Sequence, residues 1–354
     1  MPENRSMATT IQALLNLELP IIQAPMAGVQ GSALAIAVSN AGGLGSLPCA
    51  MLGLDEIRAE IETITSGCDK PFNVNFFCHS PPTVDEAREA QWRATLAPYY
   101  REHGIGVDDI PAGVRREPFN AEMLEVLQDF NPAVVSFHFG LPDQDLLVGV
   151  RAMGAKILCS ATTIEEARWL ESQGVDAIIA QGVEAGGHRG MFMSDDITRQ
   201  IGTFALLPQI VQAVNLPVIA AGGIADAAGV AAVIGLGAAA VQVGTAYLLC
   251  DEATTSPVHR AALKDPGSMH TALTNRFTGR PARSIVNRVM RELGPIGEVP
   301  PFPLAATSIG PLRSAAEAKG LGDFSPLWSG QNASGCLEIP AAELTRMLAG
   351  NLPA

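Results

Sequence analysis

The chain has 354 residues, 47% of them hydrophobic and 17% charged, with 36 acidic against 23 basic side chains and a formal net charge of −13. That is enough apolar sequence for one large domain and a smaller one. The negative balance excludes nucleic acid and anionic membrane surfaces as main partners, because both need a basic face, but it leaves room for a small anion at a local positive site.

The six cysteines form no CxxC pair and do not alternate with histidine at metal-ligand spacing. They read as reduced thiols of a cytoplasmic protein, with no disulfide framework and no metal. The N-terminus lacks an apolar signal region, and the longest apolar stretches are broken well before the span a bilayer needs. Neither export nor a membrane anchor is expected.

In chain order, residues 11–15 read as a short amphipathic lead-in. Residues 19–26 follow as a strand ended by Pro25, then a small-residue helix over 31–40. A second strand spans 42–48, and Asp55 is placed to cap a helix over 56–65. The third strand is 72–77. Residues 79–132 break the rhythm: they are longer and more charged, with a helix over 84–100 and a loop through Asp108, Asp109 and Pro111. This is an extended excursion at the mouth of a site, and a helix over 121–130 returns the chain to the core. Strands follow at 134–140, 156–161, 177–180, 216–223 and 239–245, separated by helical patterns. Eight apolar runs at the spacing of βα units fit a TIM (β/α)8 barrel better than an open doubly wound sheet, and no GxGxxG follows the first strand. The barrel domain is expected over 1–250, with the excursion at 79–132, and a smaller, mostly helical cap with C-terminal helices over 251–354. The cap should hold helices over 311–319 and 341–349, and its arginines at 276–288 should form a solvated or inter-domain face.

Barrel enzymes place their chemistry at the C-terminal ends of the strands. Those ends bring forward Gln23, Ala24, Pro25 and Met26; Asn75; His138; Gln181; Gly222 and Gly223; and Gln242, Val243, Gly244 and Thr245. The glycines after the last two strands suit a phosphate held on backbone N–H groups, with Thr245 adding a hydroxyl. Inward amides at Asn75 and Gln181 suit the ring and ribityl oxygens of a mononucleotide flavin. His138 either lines a pocket or is a hydrogen-bonded structural residue. The loop Gln181-Gly-Val-Glu-Ala-Gly-Gly-His-Arg-Gly190 leaves a strand end and carries one imidazole, His188, whose ordinary pKa lies near neutrality. Gly186 and Gly187 allow its backbone to approach a ligand. Arg189 either holds an anionic group or pairs with Glu184.

Together, Pro20-Ile-Ile-Gln-Ala-Pro-Met26, Asn75, Ser136-Phe-His-Phe-Gly-Leu-Pro142, the 181–190 loop, Ala220-Ala-Gly-Gly-Ile224 and Gln242-Val-Gly-Thr245 resemble the nitronate monooxygenase family, in its nicotinamide-independent branch. The resemblance implies an FMN enzyme that oxidises alkyl nitronates, such as propionate 3-nitronate, with O₂. It also implies action on neutral nitroalkanes through His188 as the base. His138 and Phe302 would contact substrate, Phe302 standing where relatives often have Tyr. Ser284 stands where glycine is common. Residues Gln23–Met26, Asn75, Gln181, Gly186, Gly187, Gly222, Gly223 and Gln242–Thr245 would bind FMN. The partners implied are a small nitronate or nitroalkane and O₂, with a homodimer as an allowed assembly. Two alternatives compete with this: an NAD(P)H-dependent FMN reductase of quinones or enoyl thioesters on the same barrel, and a barrel that binds without flavin.

Overall fold

The computed structural model describes residues 10–106, 110 and 116–350. The loop through Asp108, Asp109 and Pro111 and the first residues of the leader lie outside the described residues. The strands in chain order are β1 (Ile21–Gln23), β2 (Gly45–Pro48), β3 (Phe72–Phe77), β4 (Val134–His138), β5 (Lys156–Ala161), β6 (Ala177–Gln181), β7 (Gly187–His188), β8 (Val218–Ala221), β9 (Ala240–Val243), β10 (Thr271–Thr274) and β11 (Ala282–Ile285).

Eight of these form one parallel sheet in the order β1-β9-β8-β6-β5-β4-β3-β2. A parallel bridge between Ile22 and Leu44 joins β1 to the start of β2 and closes the ring. The protein is a TIM barrel. Its strands are apolar along their whole length because both faces are covered. Alternate residues divide between two layers. Ile22, Val134, Leu158, Ile179 and Ile219 fill the barrel interior. Their neighbours Ile21, Val135, Ile157, Ile178 and Val218 pack outward against the helices. The amphipathic lead-in, α1 (Ile11–Leu15), buries Ile11 and Leu15 against the interior layer and closes one end of the barrel.

The outer helices include α2 (Ser32–Asn40), α3 (Leu54–Gly67), α4 (Glu86–His103), α5 (Ala121–Phe130), α6 (Gln144–Ala152), α7 (Ile164–Ser172), α8 (Thr203–Ala213) and α9 (Ala227–Gly235). Asp55 is not the cap of α3. The helix starts two residues earlier, at Leu54 after Gly53, whose N–H donates to the Glu56 carboxylate at 2.8 Å, and Asp55 lies inside the first turn.

The second body is mostly helical but not wholly so. It holds α10 (Pro257–Lys264), α11 (Arg288–Leu293) and α12 (Ala305–Glu317), and also an antiparallel sheet in the order β10-β11-β7. Its four-residue strands are too short to show an alternating pattern in the sequence. The helix expected at 311–319 begins at Ala305, so Pro311 lies inside it rather than at its start. A separate apolar core joins Trp92, Leu96, Tyr99 and Tyr100 of α4 to Phe277, Val289, Ile309, Leu312 and Phe324. Trp92 Nε1 donates to the Ala305 carbonyl (3.2 Å) and Tyr100 Oη to the Ser308 carbonyl (2.6 Å). The excursion therefore belongs by packing to the cap. The last helix, α13 (Ala341–Ala349), instead buries Leu344 and Leu348 in the barrel's outer core. Both cores thus draw residues from either side of position 250.

Of the two readings for the arginines at 276–288, a solvated or an inter-domain face, Arg283 fits the inter-domain one. Arg276 and Arg283 are buried. Arg276 donates to the Leu293 and Gly294 carbonyls inside the cap, while Arg283 Nε reaches across to the Val183 carbonyl of the barrel loop at 2.8 Å. Among the described residues, no helix is long and apolar enough to cross a membrane.

Candidate active site

At the C-terminal ends of the barrel strands, under the cap, lies a cavity of about 240 Å³. Most of the residues expected at a site converge on it: Ala24, Pro25, Met26, Asn75, His138, Gln181, Gly186, Gly187, His188, Gly222, Gly223, Gln242, Gly244 and Thr245. Three do not line it. Gln23 is fully buried, and its amide binds Gln30 Oε1 (2.6 Å) and accepts from the Ser46 N–H (3.0 Å), so it braces β1 against β2. Val243 is in the outer apolar core. Phe302 packs behind the cavity wall, its ring centroid 5.4 Å from His188 and 4.8 Å from His79.

The glycine-rich loop after β6 is not a free turn. Gly187 and His188 form β7, paired antiparallel with Arg283 and Ala282 of the cap's sheet. Three side chains hold it. Gln181 Nε2 donates to the His188 carbonyl (3.0 Å), and its Oε1 accepts from the Gly190 N–H (2.7 Å). His138 Nε2 lies 3.2 Å from the same His188 carbonyl. A carbonyl only accepts, so His138 carries its proton on Nε2, and its Nδ1 accepts from Ser160 Oγ at 3.0 Å. Arg189 neither holds a surface anion nor pairs with Glu184. It is fully buried and donates to the carbonyls of Gly182 (2.8 Å) and Gln181 (2.7 Å) and to Gln200 Oε1 (2.8 Å). Glu184 turns the other way and accepts from the Thr203 N–H and hydroxyl at the start of α8.

His188 itself faces the cavity. Its Nε2 stands 2.8 Å from Thr278 Oγ1 of the cap, and its Nδ1 has no protein partner among the described residues. Burial holds its pKa well below the ordinary 6.5, and the positive charges of Arg116 and Arg280 act in the same direction. His138 is pushed down to about 3, again mainly by burial. Both imidazoles are neutral near pH 7. Trp328, 5.4 Å from His188 between ring centroids, and Phe77 at 6.0 Å complete an aromatic surround.

Two features fit a bound cofactor. The side-chain Oε1 of Gln242 is buried without a hydrogen-bond partner. A buried acceptor left unpaired costs about 1–3 kcal/mol, so this atom suits a ligand donor. Beside it, Gly223 adopts φ +75°, which only glycine accepts readily, and no protein acceptor is found for the Gly223 and Gly244 N–H groups among the described residues. Gly186 is required for a different reason: an added Cβ would stand 2.6 Å from the Gly330 N–H, where the 327–331 segment crosses the loop. Asn75 donates to Ser136 Oγ at 2.9 Å, and Thr245 Oγ1 accepts from the Gly330 N–H at 2.9 Å. Among the described residues, no cluster of three His, Cys, Asp or Glu side chains could hold a metal ion.

Sequence reasoning missed Thr278, Trp328 and Arg116. Each comes from the cap or the excursion, where no local motif marks it as part of a strand-end site.

The family model described as nitronate monooxygenase matches residues 8–350. The nitronate monooxygenase of Pseudomonas aeruginosa is 44% identical over 345 residues, covering 96% of this chain and 97% of its own. That of Paraburkholderia phytofirmans is also 44% identical, covering 95% and 92%. Among solved structures, the nitroalkane oxidase from Streptomyces ansochromogenes superposes with a TM-score of 0.87 at 41% identity, over 95% of this chain and 96% of that one. Matches of this extent, over a barrel with this strand-end constellation, establish that the chain belongs to the nitronate monooxygenase family.

Proposed function

We propose that this chain is an FMN-dependent nitronate monooxygenase. It would oxidise alkyl nitronates, such as propionate 3-nitronate, with O₂ to a carbonyl compound and nitrite or nitrate, and would accept neutral nitroalkanes through His188. The observation that carries the proposal is the neutral His188 imidazole, its Nδ1 open to the cavity and its other nitrogen held by Thr278.

In this reading the Nε2–H donates to Thr278, and Nδ1 takes the α-proton of a neutral nitroalkane. A nitronate has already lost that proton, so His188 would only orient it. Gln181, His138 and Arg189 fix the loop so that the imidazole does not swing. Pro25, Met26, Asn75 and Gln242 would hold the flavin ring, and the backbone N–H groups of Gly223 and Gly244 its phosphate. The flavin, when bound, supplies the electron transfer that no protein side chain can. The cap, through Trp328 and Thr278, covers the cavity and limits water. The six thiols are unpaired, which fits the cytoplasmic location proposed with this function.

The test is an anaerobic absorbance titration of the purified protein with NADH, then NADPH, then propionate 3-nitronate. Bleaching of a flavin spectrum by the nitronate alone is the expected result. Rapid bleaching by a nicotinamide would favour the reductase alternative, and a colourless protein that takes up no FMN would reject both.

A further inference from the structure

Arg116 is the one cavity-lining cation without a counter-charge among the described residues. It sits on the excursion between β3 and β4, half-buried, with its guanidinium 5.7 Å from the Phe302 ring, which also packs 5.4 Å from His188. Burial chiefly disfavours its ionised form, and the like charge of Arg313 acts in the same direction. Arg313 also lines the cavity, but its Nε lies 2.8 Å from Glu317, which offsets it. No described carboxylate does the same for Arg116. A partly desolvated cation facing a like charge is unfavourable unless an anion arrives to pair with it. In a chain of net charge −13, a carboxylate at this position would be the common solution, and among the described residues none is found, which leaves a positive site inside an acidic protein.

We propose that Arg116 is the anion-recognition residue of this cavity, taking a planar two-oxygen anion on its guanidinium. The inference rests on the nitronate reading and names how that substrate class is selected. A guanidinium presents parallel N–H donors that match two oxygens in one plane, a geometry lysine does not reproduce. Both the nitronate group and a carboxylate elsewhere on the same substrate have that shape. Neutral nitroalkanes lack the charge and gain little from it.

The experiment compares wild type with Arg116→Gln and Arg116→Lys in the holoenzyme. Nitrate, a planar anion with no carbon to oxidise, is titrated calorimetrically. Steady-state KM and kcat are measured for ethyl nitronate, propionate 3-nitronate and nitroethane. Arg116→Gln is expected to weaken nitrate binding and raise the KM of both nitronates about tenfold, the loss of one charge-assisted contact, with nitroethane little changed. Arg116→Lys should restore part of the nitrate binding. A rise confined to propionate 3-nitronate would assign the contact to the carboxylate rather than the nitronate group, and the anion site would stand. Unchanged nitrate binding with unchanged nitronate KM would overturn the proposal, as would an equal rise for nitroethane. A wild type that binds nitrate through Arg116 but oxidises no nitronate would reject the nitronate reading alone.

Discussion

His188 Nε2 and Thr278 Oγ1 stand 2.8 Å apart although 90 positions separate them in the chain. The first belongs to a loop of the barrel and the second to the cap, so the imidazole bridges the two bodies. Its orientation depends on the cap being docked.

Replacing the imidazole separates the two substrate types. His188→Asn keeps the size and one hydrogen-bonding edge but removes the base. Turnover of neutral nitroalkanes should fall by about 10²–10⁴-fold, the usual contribution of a positioned base, while nitronate oxidation keeps most of its rate. Steady-state assays with a nitroalkane and its own nitronate decide this. An equal fall with both would mean that His188 is not the base.

The depressed histidines predict a pH dependence of stability. His138 (about 3), His259 (about 4) and His188 (well below 6.5) all titrate lower in the fold than in the unfolded chain, chiefly through burial. The unfolded state therefore binds more protons below pH 6.5, and stability falls as pH drops. Each histidine contributes about 1.4 kcal/mol per pH unit across its window. Urea midpoints at pH 7.5, 6 and 5 should decline only below about 6.5. A flat profile down to pH 5 would contradict the buried neutral imidazoles. By the same shift, the acid limb of nitroalkane turnover should lie below pH 6.5.

Gly223→Val should reduce retained flavin. An added Cβ would only touch Glu184 Cβ at 3.4 Å, so space is not the main obstacle. The φ of +75° is, because a β-branched residue will not hold it and the N–H would turn away from the cavity. Flavin content per mole of purified protein measures this, and full retention would remove the phosphate from this turn.

Arg189→Met should destabilise the fold without touching a ligand. It removes the Arg189 donor from the Gln181 carbonyl and Gln200 Oε1 in a buried place, and leaves the Gly182 carbonyl with the Ala185 N–H alone. The expected loss is on the order of 3 kcal/mol, readable as a lower urea midpoint. The loop should loosen at the same time, lowering nitroalkane kcat more than KM. A variant as stable as wild type would show that the guanidinium does not clamp the loop.

Much of this protein was legible before folding. The apolar runs that became β3 and β5 were placed to the residue, because a strand buried on both faces announces itself locally. The 181–190 loop and the glycines after β8 and β9 were visible for the same reason: a strand end, a turn and its polar residues are neighbours in the chain. Gln23 shows the limit of that logic. Its position at a strand end suggested a ligand contact, but register turned the amide toward Gln30 and Ser46.

What the tertiary structure alone decided are the relationships between distant segments. Ala282 and Arg283 pair with His188 and Gly187, turning a glycine-rich loop into a strand. The aromatic face of α4 finds α12 and carries the excursion over the barrel, which brings Arg116 to the cavity. The charge state of His188 is likewise a property of the assembled site, set by burial and by two arginines from other segments. Local periodicity encodes which elements form. Desolvation and pairing across the chain decide which side chains meet, and no window of sequence contains both partners.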